Sequence, residues 1–292
     1  MLKKEVILFC EAKYLNQMSI LDKDRIKTFI LPYLSQGKRG KNLTEDKRIS
    51  IVLSIFHRLK TGCQWRELPL EKYFTEKYSY ESVFYHFNRW CKDGSWKRMW
   101  IGLLGEYKNH LDLSSIQLDG SQTRANRGGN KVGFQLRKAD ESTNFLYLCD
   151  KQGILIAISE PISGEHHDLA EIKQQFTQLI DWLDQANIRT EGLFLNADAG
   201  FDSQECRQIC SKHHIEANIA FNKRNGTIES RNEYFDELLY ENRFVIERAF
   251  AWLDAFKALL IRYETTAINW LNLNIIGIVV CFVRKISSKL KS

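Results

Sequence analysis

Two short apolar runs in the second half of the chain each end in an aspartate, and this pattern constrains the fold most. Asp119 follows the run Ile116–Leu118, and Asp198 follows a run that begins at Leu193. A third acidic residue, Glu247, lies in a pattern with helical spacing. Carboxylates at the ends of adjacent strands and on one helix can converge although they are far apart in sequence. Their oxygen atoms suit Mg²⁺ or Mn²⁺.

Composition excludes several classes of protein. The 292 residues allow one large domain or two smaller ones, and a hydrophobic content of 44% excludes disorder over the whole chain. The longest strongly apolar stretch, Ile275–Val283, is too short to span a bilayer, and the N-terminus does not resemble a signal peptide. Seven scattered cysteines fit a reducing compartment better than a disulfide framework. We therefore expect a cytoplasmic protein with no membrane partner.

The charge is unevenly distributed along the chain. Residues 1–110 carry 21 basic and 12 acidic residues, whereas the remainder carries 21 basic and 24 acidic residues. A basic first third suggests a surface for a polyanion, joined to a reaction core that bears carboxylates. A small basic excess is also common on proteins that do not bind nucleic acid, so the charge alone favours nucleic acid only modestly.

The first 110 residues show helical patterns. A helix is predicted to begin after Thr44 as N-cap and to end at Thr61-Gly62. A second is predicted to begin near Ser79, and a third starts at Trp96. These features fit a helix-turn-helix type module or an ordinary helical bundle. We expect residues 1–110 to form a small, basic, helical DNA-binding domain and residues 111–292 to form the catalytic domain.

After residue 112 the pattern changes to short β-like runs, followed by alternating helices and strands. This order predicts a mixed α/β sheet with flanking helices. The predicted strands are Ile116–Asp119, Asn144–Cys149, Ile154–Ser159, Leu193–Leu195 and Ala217–Phe221, and the predicted helices are Asp168–Trp182, Ser203–His213 and Asn242–Ile261.

Four segments of this region resemble the DDE-class transposases of bacterial insertion sequences. They read LDGSQTR, HHDLAEI, LNADAGFDS and YENRFVIERAFAWLDAFKALLIRYE, and the upstream segments RLKTGCQWRELP and ESVFYHFNRWCKDGSW resemble the usual N-terminal domain of that group. The resemblance covers roughly residues 40–285 and implies a ribonuclease-H-like fold. It also implies three carboxylates that hold two Mg²⁺ (or Mn²⁺) ions and drive strand cleavage and transfer on double-stranded DNA at terminal inverted repeats. A homodimer that joins two DNA ends, acting in the bacterial nucleoid, is implied as well.

By this resemblance the catalytic and metal-binding residues are Asp119, Asp198 and Glu247. Each has a plainer interpretation from the residues alone. Asp119-Gly120 could be a turn, Asp198 could compete with Asp202 as a helix N-cap, and Glu247 could lie on a solvated helix face. We expect Asp202 to cap the next helix, and we expect Glu247 to lie near the apolar stripe, paired with a cation or with Arg243.

Basic residues around Glu247 are candidates for contacts with DNA phosphates. The family pattern Tyr-x2-Arg-x3-Glu-x6-Lys is matched by Tyr240, Arg243 and Glu247, but Asp254 occupies the last position. Lys257 lies one turn further on. The remaining candidates are Arg262 in LLIRYE, Arg137 in a basic segment after the first aspartate, and Arg224 before a turn. Basic residues on a helix can also simply serve solubility, and for Lys257 this interpretation fits as well.

Two further alternatives stay open at the level of sequence. The cluster Cys206, Cys210, His213 and His214 contains zinc-binding residue types, but its helical spacing lacks a second half. The chain could also be an inactive or domesticated transposase-derived DNA-binding protein, or a related metal-dependent nuclease that cleaves without strand transfer.

Overall fold

In the computed structural model, the structure describes residues 21–37, 42–136, 138–166, 171–225 and 234–290. The helices in this part of the chain are α1 (Lys23–Phe29), α2 (Glu45–Thr61), α3 (Tyr80–Lys92), α4 (Ser95–Glu106), α5 (Ile172–Gln185), α6 (Gln204–Lys212), α7 (Glu237–Tyr240), α8 (Val245–Asp254), α9 (Lys257–Leu260) and α10 (Ala267–Lys289). The strands are β1 (Ile116–Ala125), β2 (Gly133–Gln135), β3 (Asp140–Asp150), β4 (Leu155–Ile158), β5 (Ile162–Ser163), β6 (Phe194–Ala197), β7 (Glu216–Ile219) and β8 (Ile261–Arg262).

The chain divides into two compact units. One comprises residues up to Leu103 together with those from Ala251 onwards, and the other comprises Leu104–Phe250. This division by compactness differs from the predicted functional division after residue 110, which stays a prediction.

The first unit begins with helices whose ends follow the local sequence signals. The side chain of Thr44 accepts a hydrogen bond from the backbone N–H of Lys47, as an N-cap does, and Gly62 ends α2 in the left-handed conformation with φ of 70°. Ser79 caps α3 in the same way as Thr44 caps α2. These features confirm the predicted helix starting after Thr44 and the one beginning near Ser79.

Helix α10 is the longest element of the first unit. It contains the run Ile275–Val283 but extends well beyond it on both sides, and by length and composition alone it is apolar enough to cross a membrane. Of its most apolar 18-residue window, 83% is buried inside the protein. Burial of this extent is typical of a core helix, which passes the same test of length and composition.

The second unit is built on a mixed sheet. Its strand order is β2-β3-β1-β6-β7, and β4 and β5 pair with β3. Strand β1 runs antiparallel to β3 and parallel to β6, and β7 is parallel to β6. Helix α5 packs against β4 and α6. An antiparallel meander extended by parallel strands, with flanking helices, confirms the predicted ribonuclease-H-like architecture.

The region around Glu247 differs from the single helix predicted over Asn242–Ile261. A short helix, α7, leads through a 3₁₀ turn at Glu241–Phe244 into α8, which ends at Asp254. Phe256 has an extended backbone before α9 starts. The apolar spacing used for the prediction continues across these breaks, so periodicity alone does not reveal them.

Candidate active site

The two aspartates lie at matching positions on neighbouring parallel strands. The last paired residues of β1 and β6 are Gln117 and Asn196, and Asp119 and Asp198 each come two residues later. Side chains two residues apart in a strand share one face of the sheet. Parallel neighbours are about 4.8 Å apart. The fold therefore brings two carboxylates, 79 residues apart in sequence, to one edge of the β1–β6 pair.

The sequence pattern predicted that Asp119 ends its strand, but in the structure Asp119 lies inside the strand. Strand β1 continues to Ala125 and stays paired with β3 as far as Arg124, whereas its pairing with β6 stops at Gln117. Asp119 therefore lies where one partner strand leaves and the other remains. Asp198 follows β6 directly, and one of its carboxylate oxygens accepts a hydrogen bond from the N–H of Gly200 at 2.8 Å.

Arg243 connects the first aspartate to the glutamate. Its Nη1 lies 3.4 Å from Oδ2 of Asp119, and its Nη2 lies 3.3 Å from Oε1 of Glu247. The Arg243 side chain is largely buried and lies over the rings of Tyr240 and Phe244. Arg243 therefore links Tyr240 and Glu247 to Asp119, which is more than 120 residues away from all three in sequence.

Glu247 is more exposed than we expected from its place in the sequence. Its side chain is 45% accessible, whereas its neighbour Ile246 is fully buried. The predicted pairing with Arg243 is present, and Glu247 borders the apolar stripe with its side chain about half exposed. A half-exposed carboxylate is free to turn towards a cation in solvent.

Asp202 has a different role from the helix cap that we expected. Ser203 caps α6, because its side chain accepts from the N–H of Cys206. Asp202 is buried and accepts hydrogen bonds from Nε and Nη2 of Arg207 and from the N–H of Asn222. It thereby ties the loop after Asp198 to the loop after β7.

Sequence reasoning missed three buried amides that lie across the sheet below the aspartates. Gln117, Asn196 and Asn218 are at most 3% exposed and occupy paired positions on β1, β6 and β7. We call this set the amide ladder. The signal that could have found it is an Asn or Gln within each apolar run, two residues before Asp119 and Asp198.

The remaining candidates for contact with DNA differ in how exposed their side chains are. Lys257 and Arg224 are exposed, and Tyr240 is half-buried against Phe235, where burial raises the pKa of its hydroxyl. Arg262 is fully buried and its Nε donates to the backbone carbonyl of Glu264; burial lowers its pKa to about 10. A phosphate cannot reach such a side chain, so the structure argues against that contact. Arg137 lies outside the described residues.

The donor set fits a hard divalent cation in its chemistry. Asp119, Asp198 and Glu247 offer carboxylate oxygens, and two of them already bind a cationic group, the guanidinium of Arg243. Their present arrangement is not a closed cage. Within the described ranges, no three His, Cys, Asp or Glu side chains are grouped so that they could hold a metal ion, and this includes the proposed zinc residues Cys206 and Cys210.

Comparisons with known families match both parts of the chain. Residues 24–100 match the family described as candidate transposases of the IS4/5 family. Residues 115–283, more than half of the chain, match the DDE superfamily endonuclease family. The second match contains all three carboxylates. A comparison with curated proteins gives no match.

Solved structures give distant likenesses. A pre-cleavage Mos1 transpososome is 12% identical, with 85% of this chain and 81% of that chain covered and a TM-score of 0.29. The Mos1 strand transfer complex is 12% identical, with 84% and 79% covered and a TM-score of 0.28. The Mos1 mariner paired end complex with Mn has the same identity, coverage and score. Likenesses this distant carry no argument about the present chain.

The family match therefore settles the class of protein. The sheet, the paired aspartates and the match over residues 115–283 agree with one another. Dependence on a divalent metal is a property of this family. The chain belongs to the DDE superfamily of endonucleases and is a transposase of the DDE class.

Proposed function

We propose that Asp119, Asp198 and Glu247 are the catalytic carboxylates of this transposase and together hold two Mg²⁺ (or Mn²⁺) ions. The observation that carries the proposal is the register of β1 and β6, which puts both aspartates two residues beyond the last pair, with Arg243 joining Asp119 to Glu247. Asp198 also caps the 3₁₀ turn that follows it, with one carboxylate oxygen bonded to the N–H of Gly200, and a carboxylate has a second oxygen that can bind a cation.

When bound, two divalent ions would activate a water molecule and stabilise the leaving oxygen of a phosphodiester. The protein's own contribution is to supply oxygen donors and to hold the DNA end. Asp119 lies on β1, Asp198 directly follows β6, and Glu247 offers a half-exposed third carboxylate from α8. The reaction requires no covalent protein nucleophile, so the carboxylates act first as ligands.

Arg243 has two roles in this proposal. Before the cations bind, its guanidinium offsets the repulsion between Asp119 and Glu247. Once cations neutralise those carboxylates, the same guanidinium becomes available for a phosphate of the DNA end, since its planar donors match phosphate oxygens. Tyr240 supports it through the contact of its ring with the guanidinium. Lys257 and Arg224 are exposed and could bind phosphates further along the DNA.

The DNA substrate in this proposal is the pair of terminal inverted repeats of an insertion sequence, and residues 1–110 provide the basic surface that binds them. A homodimer would hold the two ends together during cleavage and transfer. Analytical ultracentrifugation of the protein with and without end DNA tests this part. Complexes that contain only one protomer and one DNA end at all concentrations would overturn it.

Cleavage and strand transfer test the assignment of the carboxylates. DNA that carries the inverted repeats is incubated with Mg²⁺ and wild-type protein, Asp198→Ala, or Glu205→Gln, an exposed acid on the adjacent helix α6. We expect cleavage and transfer with wild type and Glu205→Gln and a loss of at least 1000-fold with Asp198→Ala, on the order of 4 kcal/mol. Cleavage that survives Asp198→Ala would refute the assignment, and cleavage without transfer would favour a nuclease.

A further inference from the structure

The amide ladder is a continuous chain of hydrogen bonds across the parallel strands. Nδ2 of Asn196 donates to Oε1 of Gln117 at 2.7 Å, and Nδ2 of Asn218 donates to Oδ1 of Asn196 at 2.8 Å. Nε2 of Gln117 donates in turn to Oγ of Ser115 at 3.1 Å. Neighbours in the ladder are paired residues of adjacent strands, so the ladder crosses the sheet at right angles to the strands.

The same amides also bind the segment that leads to Glu247. Nδ2 of Asn196 donates to the carbonyl of Leu239 at 3.0 Å. Asn218 forms two bonds with Asp236: its Nδ2 donates to the carbonyl at 2.9 Å, and its Oδ1 accepts from the N–H at 2.8 Å. These three bonds hold the backbone of residues 236–239 over the ladder. Tyr240, Arg243 and Glu247 follow this segment within eight residues.

The backbone partners determine how each amide is oriented. Because the N–H of Asp236 can only donate, it must face the oxygen of Asn218, and the amino group of Asn218 must then face Asn196 and the carbonyl of Asp236. The carbonyl of Leu239 likewise requires the amino group of Asn196. No amide in the ladder can rotate by half a turn without placing like groups against each other. A buried network that is satisfied in one arrangement fixes that arrangement.

The ladder lies directly beneath the candidate active site. Gln117 shares a face of the sheet with Asp119, two residues further along β1, and Asp198 directly follows β6, two residues after Asn196. One set of buried hydrogen bonds thus joins the strands that carry both aspartates to the segment that carries the glutamate. Apolar side chains would fill the same space, but they would not fix the height of residues 236–239 above the strands.

We propose that Asn196, at the centre of the amide ladder, is a positioning residue that places the Tyr240–Arg243–Glu247 group over Asp119 and Asp198. It acts through the backbone of Leu239 and touches neither substrate nor cation. The inference rests on the proposed role of Glu247 for its consequence in cation binding, but its structural part, the anchoring of residues 236–247, stands on the hydrogen bonds alone.

Hydrogen exchange of the metal-free full-length protein tests the anchoring. In Asn196→Leu, which keeps the number and branching of the side-chain heavy atoms but removes the amide, we expect amides in the peptide 234–247 to exchange at least tenfold faster, while those in α5 stay unchanged. The matched control is Gln175→Met on α5, whose amide is also buried and donates to Oγ of Ser159. It should leave peptide 234–247 unchanged. Wild-type exchange of this peptide in Asn196→Leu would overturn the proposal.

Binding of Mn²⁺ tests the consequence for Glu247 without any measurement of activity. We expect Asn196→Leu and Glu247→Gln each to weaken Mn²⁺ binding about tenfold, and the double variant to bind as weakly as Glu247→Gln alone, because both act through one group. Additive losses would show that Asn196 acts through the aspartate strands and would overturn the positioning role. If Glu247→Gln alone binds Mn²⁺ like wild type, the proposed role of Glu247 fails, while the exchange experiment still decides the anchoring.

A second variant protects both tests against loss of the fold. Asn218 lies at the outer end of the ladder. Asn218→Ala removes its amide and with it both hydrogen bonds to Asp236. If Asn196→Leu does not fold, Asn218→Ala should show the faster exchange in peptide 234–247 and the weaker binding of Mn²⁺. Wild-type behaviour of a folded Asn218→Ala in both measurements would overturn the proposal.

Discussion

Arg243 is the residue at which cation binding and DNA binding would meet in the proposed site. Its guanidinium contacts Asp119 and Glu247, and its planar face lies over two aromatic rings. An arginine between two carboxylates competes with any metal ion for the same oxygens. In the proposed site, the guanidinium of Arg243 and a metal ion from solvent would therefore compete for the same carboxylates.

Replacement of this arginine should strengthen metal binding. In Arg243→Gln, we expect Mn²⁺ to bind about fivefold more tightly, equivalent to about 1 kcal/mol, because a competing charge is removed. Binding of end DNA should weaken. Titration calorimetry measures both. The control is Arg248→Gln on the following helix α8, where Nη2 of Arg248 donates to the backbone carbonyl of Gln152. Weaker Mn²⁺ binding in Arg243→Gln alone would contradict this account.

His86 should make the stability of the protein depend on pH. Burial, with a smaller effect of Arg89, lowers the pKa of His86 on α3 to about 4. The unfolded chain, with a histidine pKa near 6.5, then binds the proton first as the pH falls. We expect the free energy of unfolding to drop by about 2 kcal/mol between pH 7 and pH 5 from this residue. Urea titrations of wild type and His86→Gln should differ by that amount, and parallel pH profiles would refute it.

At the scale of elements, the buried carboxylate of Asp202 joins the loop after β6 to helix α6 and to the loop after β7. The side chain of Asp202 is 2% accessible and its Oδ1 lies 2.9 Å from Nη2 of Arg207. The other carboxylate oxygen accepts from the N–H of Asn222. This pair holds the loop that begins at Asp198.

Neutralising Asp202 should destabilise the second unit. We expect Asp202→Asn to reduce the free energy of unfolding by about 3 kcal/mol, because the largely buried pair with Arg207 loses its negative charge. Glu205→Gln, an exposed change on α6, should stay within about 0.5 kcal/mol of wild type. Chemical denaturation of the three proteins measures the difference. A loss below 1 kcal/mol in Asp202→Asn would show that the pair is not needed.

The sequence predicts the strands and helices that have local signals. Thr44, Gly62 and Ser79 mark helix ends by capping and by the left-handed conformation, and the structure agrees. The apolar runs before Asp119 and Asp198 predict two strands of the sheet, because each run has the length and composition of a buried strand. The family resemblance added the topology that joins them.

Features that depend on distant partners were not predictable in this way. Asp202 looks like an N-cap until Arg207 and Asn222 are brought beside it by the fold. The ladder residues look like single polar interruptions of apolar runs until the register pairs Asn196 with Gln117. Arg262 looks like a surface cation, although its burial is set by tertiary packing. In each case the deciding contact lies outside the window that a local pattern can read.

At the scale of the whole molecule, two separate stretches of the chain form one compact unit. Residues up to Leu103 and those from Ala251 onwards form the first unit, and Leu104–Phe250 forms the second. Helix α10 supplies a large share of the buried apolar side chains of the first unit, among them Phe282, whose ring contacts Trp100. The first unit therefore depends on both ends of the polypeptide.

Truncation should reveal this dependence. A protein that ends at Phe250 lacks α10, so we expect the first unit to lose its fixed packing. The buried tryptophans Trp90, Trp96 and Trp100 all lie in that unit and report on it. Their near-ultraviolet circular dichroism should disappear and their fluorescence should shift to longer wavelength. Retention of both signals would show that the first unit folds without its C-terminal part.

The proposed metal site of Asp119, Asp198 and Glu247 can be observed directly in a crystal. Diffraction from crystals of the protein with end DNA and Mn²⁺, recorded at the manganese absorption edge, locates the ions directly. We predict two anomalous peaks, with carboxylate oxygens of Asp119 and Asp198 about 2 Å from an ion and Glu247 turned away from Arg243 towards them. Manganese peaks elsewhere, with Arg243 still bound to Asp119 and Glu247, would contradict the account.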